Sequence, residues 1–213
     1  MNIILIGPPG SGKGTQAKYL VKKFNYFQVS TGDLLRNEIK NKTYIGLEIS
    51  KRIDKGLFVD DDIVNQLLKK VINNEKHRNK IIFDGYPRNL SQAKNLDLLL
   101  KSENQYIGSI IFLNLSKEDI VNRISGRYIC EKCGAILNEF TDNIKFNKHN
   151  CDKKYLKKRT DDNDKIIMKR FDDFTEQTKP VLKYYSSKPN FNEIDGSLKI
   201  DQITRKIDEI LNV

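Results

Sequence analysis

Gly7-Pro8-Pro9-Gly10-Ser11-Gly12-Lys13-Gly14-Thr15 is the stretch on which the reading of this chain turns. It follows directly on a continuous apolar run, Met1 to Ile6, and opens a helical pattern that extends from Lys13 to Phe24. A buried strand, a glycine-rich turn and a helix form a unit suited to anions. Gly10, Gly12 and Gly14 let the backbone fold tightly around phosphate oxygens, with the N–H groups of Ser11 and its neighbours pointing at them. Lys13 adds a mobile positive charge, and Thr15 offers a hydroxyl near a metal ion. Gly14 intervenes between them, where the common pattern places Ser or Thr directly after the Lys. A glycine-rich turn without a ligand is the plainer alternative, but the strand–turn–helix context argues for a bound nucleotide.

Outward from this loop the chain alternates. Phe27 to Ser30 reads as a strand, Leu34 to Lys42 and Ile45 to Lys55 as helices, and Gly56 as the stop of the second. Asp60-Asp61-Asp62 gives a helix running to about Glu75 an acidic start, which suits its dipole. Lys80 to Asp84 and Ser109 to Leu115 read as strands, Asn89 to Ser102 and Lys117 to Gly126 as helices. Residues 128 to 158 hold all three cysteines, break the alternation and read as a small inserted subdomain. A long helix from about Asp162 to Tyr185, interrupted or kinked near Pro180, precedes a fifth strand, Phe191 to Ile194, and a closing helix, Leu198 to Leu211. Strands alternating with helices imply a parallel sheet covered on both faces.

The chain has 213 residues and a net charge of +10, enough length for one well-buried core with small insertions. No segment approaches the roughly 20 apolar residues of a membrane span, and the first apolar run lacks the basic flank and cleavage site of a signal peptide. A cytoplasmic protein with no membrane partner is the expectation. Lys is spread over every segment as a solvated surface. Of the nine Arg, six (Arg36, Arg88, Arg123, Arg127, Arg159 and Arg170) fall in motif segments. Arg in a Lys-preferring chain marks places where a planar, bidentate phosphate fork is wanted. Small phosphorylated ligands are favoured over nucleic acid. A basic, cysteine-containing nucleic-acid module is the rival class, and it accounts for neither the loop nor these Arg positions.

The Gly-Lys-Gly-Thr form resembles the nucleoside monophosphate kinases, and further segments resemble the adenylate kinase family over essentially the whole chain. Ser30-Thr31-Gly32-Asp33-Leu34-Leu35-Arg36 resembles the family's AMP-site helix start, implying Thr31 against the adenine and Arg36 on the AMP phosphate. Lys55-Gly56-Leu57-Phe58-Val59 resembles the strip along the adenine. Phe83-Asp84-Gly85-Tyr86-Pro87-Arg88 resembles the second phosphate motif; Asp84 is placed to hold Mg²⁺ through its waters, Arg88 to clamp AMP, with Gly85, Tyr86 and Pro87 beside it. Gln92 is assigned to the adenine edge. Thr31, where pyrimidine-specific members usually carry Ala, and Gln92 favour AMP over UMP or CMP. Arg123 and Arg127 resemble the ATP-gripping segment, and Ile136, Leu137 and Leu198 are carried over as donor-site residues. Arg159 belongs to the far hinge of the lid and would reach the transferring phosphoryl. Arg170 lies eleven residues on, about three turns along the same helix face.

The resemblance implies an α/β P-loop fold, a five-stranded parallel sheet flanked by helices. Residues 1–29, 60–126 and 161–213 would form the core, 30–59 an AMP-binding helical insertion and 127–160 a small lid. It implies Mg²⁺ with ATP, the partners ATP, AMP and ADP, and a monomer. Lys13, Asp84, Arg88, Arg123, Arg159 and Arg170 are the expected catalytic groups; no protein base is required for a reaction run by positioning and charge neutralisation. Cys130, Cys133 and Cys151 resemble three ligands of a structural zinc site in the lid. Lys154 stands at the usual fourth position and is no normal ligand. His149 or Asp152 could replace it, His149 being the better donor. Three reduced thiols without metal are the alternative, a Cys130–Cys133 disulfide being unfavoured in a reducing compartment.

Overall fold

The structure is a computed structural model that describes residues 1–54, 59–139, 149–158 and 164–212. The expected strip at Leu57 and Phe58, the helix stop at Gly56 and the expected hinge residue Arg159 lie outside those residues. Strand β1 (Asn2–Ile6) is buried along its whole length. Its alternate side chains feed two cores: Ile4 and Ile6 pack with Val29, Leu68, Phe83, Leu96 and Tyr185, whereas Ile3 and Leu5 pack with Ala17, Leu20, Ile82, Ile111 and Ile203. A strand buried on both faces must be apolar throughout, which is why the run Ile3–Ile6 carries no polar residue.

Helix α1 (Lys13–Phe24) returns along one face and delivers β2 (Phe27–Ser30) to the sheet edge. With β3 (Ile81–Asp84), β4 (Ile107–Asn114) and a last strand, Phe191–Asp195, the sheet is parallel, in the order β2, β3, β1, β4, last strand. The chain leaves β1 for β2 two places away, then comes back to fill β3. Ligands gather outside the carboxyl ends of strands at such a reversal. The glycine-rich loop and Asp84 both sit there.

Between β2 and β3 run α2 (Thr31–Lys40), α3 (Tyr44–Asp54) and α4 (Asp61–Ile72). Helix α2 starts three residues before the position expected from periodicity, because the Ser30 hydroxyl accepts from the Asp33 N–H and caps it at 3.4 Å. Ile49, Ile63 and Leu67 form a separate small core with Leu34, Leu35, Ile39 and Ile45. Helices α5 (Leu90–Ser102) and α6 (Lys117–Ser125) follow β3 and β4. A three-stranded antiparallel sheet comes next: β5 (Arg127–Cys130) paired with β6 (Ile136–Asn138) and with β7 (Leu156–Lys157).

The long helix expected from 162 to 185 is not simply kinked. It comprises α7 (Asp164–Asp173), a π-helical segment, Phe174–Thr178, and α8 (Lys179–Ser186). Pro180 has no N–H for the carbonyl one turn back, and the helix accommodates this by widening rather than breaking. The Thr178 hydroxyl in that widened turn donates to the Arg88 carbonyl at 3.0 Å. The last strand (β8) and α9 (Ile200–Leu211) close the fold, α9 burying Ile203, Ile207 and Leu211. Asp97 on α5 accepts from Tyr184 (2.9 Å) and Tyr185 (3.3 Å), and pairs with Lys188 at 2.6 Å.

Candidate active site

The loop between β1 and α1 is held by its own backbone. Ser11 N–H donates to the Pro8 carbonyl at 3.2 Å and Thr15 N–H to Gly12 at 3.0 Å. Gly12 caps α1 at φ 94° and Gly10 sits at φ 78°, conformations that cost an L side chain heavily. Lys13 folds back over this loop: its Nζ donates to the Gly7 carbonyl at 2.6 Å and the Pro8 carbonyl at 2.9 Å.

A cleft of about 1290 Å³ opens above the loop. Pockets for one small ligand run from about 300 to 1,000 Å³, so this one has room for two nucleotides. Its walls bring together most of the residues singled out from sequence: Gly10 to Thr15, Thr31, Arg36, Val59, Asp84 to Arg88, Gln92, Arg123, Arg127, Ile136, Leu137, Arg170 and Leu198. Burial lowers the Lys13 ammonium to about 8 from its ordinary 10.5; Asp84 opposes the shift, while Arg88, Arg170 and Arg127 add to it. Arg88 is pushed down by burial and then by Arg170, with Asp84 opposing. Burial raises the Asp84 carboxyl, against Lys13 and a hydrogen bond from Gln28. Positive charge gathered along the cleft around one loop is an arrangement that a polyphosphate relieves.

Individual positions sharpen this. Arg88 Nε donates to the Gly85 carbonyl at 2.8 Å, and Thr31 Oγ1 to the same carbonyl at 3.3 Å. Arg36 is turned back onto Asp33. Gln92 is buried, its Oε1 accepting from the Arg88 N–H at 2.7 Å and its Nε2 donating to Asp61 at 2.5 Å. Arg123 Nη2 donates to the Ser197 carbonyl at 3.3 Å, tying α6 to the loop after β8. Ile136 of the small sheet lies over the phosphate loop, its Cδ1 3.6 Å from where a Gly14 side chain would begin. Sequence reasoning missed Gln28, whose Nε2 donates to Asp84 Oδ2 at 2.8 Å. It also missed Asp61, which orients Gln92. Neither carries a local motif; both matter through their spatial neighbours.

In the small sheet, Cys130, Cys133, Cys151 and His149 bring their ligand atoms within 4.8 Å of one another. The three cysteines are free thiols. A tetrahedral Zn²⁺ with bonds of about 2.3 Å needs ligand separations of ~3.8 Å, and Cys133 Sγ lies 3.6 Å from His149 Nε2. Burial raises the Cys130 thiol, but hydrogen bonds from His149 and from the Cys133 and Lys132 backbone outweigh it and lower the thiol to about 6. Burial and the neighbouring Cys133 and Cys130 thiols push Cys151 up to about 11, so the set becomes fully thiolate only with a cation among the sulfurs. Of the alternatives at the fourth position, Lys154 pairs with Asp152 at 3.5 Å and lies over the Tyr155 ring. Asp152 caps the turn that follows, accepting from the Lys154 N–H at 2.9 Å. His149 supplies the fourth donor, and the Cys₃His set fits Zn²⁺.

A parallel sheet with a phosphate loop at the reversal of strand order, cationic side chains around that loop and a covering small sheet define a P-loop phosphotransferase. The comparisons narrow the class. A family model described as adenylate kinase matches residues 5–190. The chain is 56% identical over 213 residues to the adenylate kinase of Pelagibacter ubique, with all of both chains covered. It is 42% identical to that of Fusobacterium nucleatum, over 99% of this chain and 98% of the relative, and 36% identical to that of Rhizobium etli, over 100% and 99%. The chain belongs to the adenylate kinase family, and its activity is phosphoryl transfer between ATP and AMP.

Two outcomes follow from the geometry. Metal analysis of untagged protein gives one zinc per chain, and a chelator lowers the melting temperature. His149→Ala weakens zinc retention at least about tenfold, whereas Lys154→Ala leaves it unchanged. For the loop, kcat/KM for ATP is level below about pH 8 and falls above it, as Lys13 loses its proton in the free protein. Bound phosphate favours the charged ammonium, so kcat holds to higher pH. A kcat/KM profile flat from pH 7 to 9.5 contradicts this.

Proposed function

We propose that Mg-ATP binds with its phosphates on the loop Gly10–Thr15 and its adenine between Arg123 and the Leu198 segment. AMP takes the opposite end of the cleft, among Thr31, Val59, Arg88 and Gln92, with Arg36 swinging from Asp33 onto its phosphate. The observation that carries this reading is the shared field of Lys13, Arg88, Arg127 and Arg170, each close enough to shift Lys13 or to be the group shifted. With the donor on the loop and Arg88 clamping the acceptor, the two phosphates face each other in line. Charge spreading over the transferring group then meets preorganised cations in a site shielded from water. Asp84 and Thr15 are the residues placed to hold Mg²⁺, directly or through its waters; their hard oxygen donors suit it, and Gln28 fixes the Asp84 carboxylate. Bound there, Mg²⁺ neutralises charge on the donor phosphates. Arg159 keeps its assignment to the transferring phosphoryl on sequence grounds.

On this reading residues 1–29, 60–126 and 161–213 act as the core, 30–59 as the acceptor-binding insertion and 127–160 as the donor-side lid. The separate antiparallel sheet supports the lid, and the small core in which α2 and α3 pack on Ile63 and Leu67 of α4 seats the insertion on the core. We further infer a cytoplasmic monomer. Among the described residues no helix is long and apolar enough to cross a membrane.

The decisive experiment is a coupled assay of ADP formation with ATP and each of AMP, GMP, CMP and UMP. AMP is preferred over UMP by at least about 100-fold in kcat/KM, because uracil leaves the buried Gln92 amide unsatisfied, and over CMP because cytosine, which shows adenine's donor–acceptor order, is one ring shorter and does not reach Gln92 with its phosphate on Arg88. Comparable efficiency with CMP removes the roles given to Thr31 and Gln92. Lys13→Ala and Arg88→Ala each lower kcat by at least about 100-fold without unfolding the protein, the usual cost of losing one preorganised charge (~2.7–4 kcal/mol). Near-normal turnover by either folded variant overturns the site assignment.

A further inference from the structure

Lys18 lies on α1, beyond the phosphate loop, with its side chain on the exposed face of the helix. Its Nζ donates to the carbonyl of Gly134, on the far side of the cleft mouth. Gly134 is the residue after Cys133. It sits at φ 69°, and its N–H donates to the Cys130 carbonyl at 2.8 Å, so the direction of its own carbonyl is set by the turn that the two zinc-ligating cysteines close. Two other polar ties among the described residues are placed differently. Asn138 Nδ2 donates to the Arg123 carbonyl at 2.7 Å and Lys158 Nζ to the Ser125 carbonyl at 3.0 Å. Both meet α6, the stem from which the small sheet springs. A bond near a hinge survives rotation about it; a bond at the tip does not.

We propose that Lys18 is a positioning residue that latches the lid: its ammonium holds the zinc knuckle down over the donor site through the Gly134 carbonyl, and so couples metal occupancy to lid closure. The inference rests on the donor-site reading above. A bond made only in the closed form shifts the open–closed equilibrium by its own free energy, and any ligand that binds the closed form inherits that shift. ATP lies under the lid and AMP under the other insertion, so the effect falls on the donor. The knuckle has no core of its own; without metal its carbonyl loses its fixed aim, and the latch loses its catch.

The test uses the zinc-loaded full chain. Lys18→Met raises KM for ATP, and the calorimetric Kd for ATP without AMP, by about three- to tenfold, the effect of one charge-assisted hydrogen bond at a partly exposed site. KM for AMP and the melting temperature of the free protein stay as they were, and Lys18→Arg restores most of the ATP affinity. After chelation of the zinc, wild type and Lys18→Met bind ATP alike. Reciprocally, ATP slows zinc loss to the chelator in wild type and slows it less in Lys18→Met, since coupling between two ligands runs both ways. An unchanged ATP Kd in Lys18→Met overturns the latch. So does a parallel rise in both KM values, which marks a general structural defect, and a difference undiminished by chelation overturns the coupling to the metal. Failure of the donor-site reading looks different: the wild-type chain then fails to form ADP from ATP and AMP.

Discussion

Positive charge packed around a loop that buries it is the constraint from which the rest of this structure follows. Lys13 is pressed by Arg88, Arg170 and Arg127 while burial strips it of water, and Asp84 offsets only part of that cost. The Lys13 ammonium is met by the carbonyls of Gly7 and Pro8, and Arg88 by that of Gly85. Backbone carbonyls are weak substitutes for phosphate oxygens. The site is therefore strained electrostatically in the direction that polyphosphate relieves, and the sheet must be rigid enough to hold it so. The fully buried β1, locked between β3 and β4, supplies that rigidity directly beneath the loop.

The same constraint bears on the two small pieces proposed to close over the site. An open cleft would let water screen the cations and accept the phosphoryl group; a closed one would admit no substrate. Each insertion is too small to be stabilised by a large core, and each uses a different remedy. The acceptor side gathers a few apolar residues around Ile49 and Ile63. Among its described residues the small antiparallel sheet has little apolar core, and it gathers Cys130, Cys133, His149 and Cys151 instead. A metal knuckle is a rigid body of minimal size, which suits an element that must move as a unit.

Much of this was legible in the sequence because the decisive signals are local. β1, the loop and α1 are consecutive, and their pattern alone specifies strand, turn and helix; α1 begins and ends where periodicity places it. Positions that depend on contacts between distant segments were harder. Gln28 reads as a polar residue in an edge strand until the pairing of β2 with β3 sets it beside Asp84. The π-helical turn at 174–178 could be suspected from Pro180 as a kink. Its form, however, depends on the packing that lets Thr178 reach the Arg88 carbonyl. The fourth zinc donor was open between His149 and Asp152 because spacing fixes ligands only when the intervening chain is regular. Side-chain commitments separate them here, Lys154 and Asp152 being engaged with each other and with the turn.

Gln92 shows how far burial constrains recognition of the base. Both ends of its amide are already bonded, Oε1 to the Arg88 N–H and Nε2 to Asp61. An amide oxygen has a second lone pair and an amide nitrogen a second proton, so the side chain can still meet a base edge that offers a donor beside an acceptor. It cannot rotate to exchange the two without losing both internal bonds in a buried setting. The orientation of the amide is thus fixed before any ligand arrives; on the reading proposed above, its oxygen meets the amino group of adenine and its nitrogen the ring acceptor. Uracil presents no amino group, and its pairing edge offers donor and acceptor in a different order. Because Oε1 is held by the backbone of Arg88, the group proposed to read the base and the group proposed to clamp the phosphate are fastened to each other. A wrong base that displaces one disturbs the other, so selectivity enters the transfer step as well as binding.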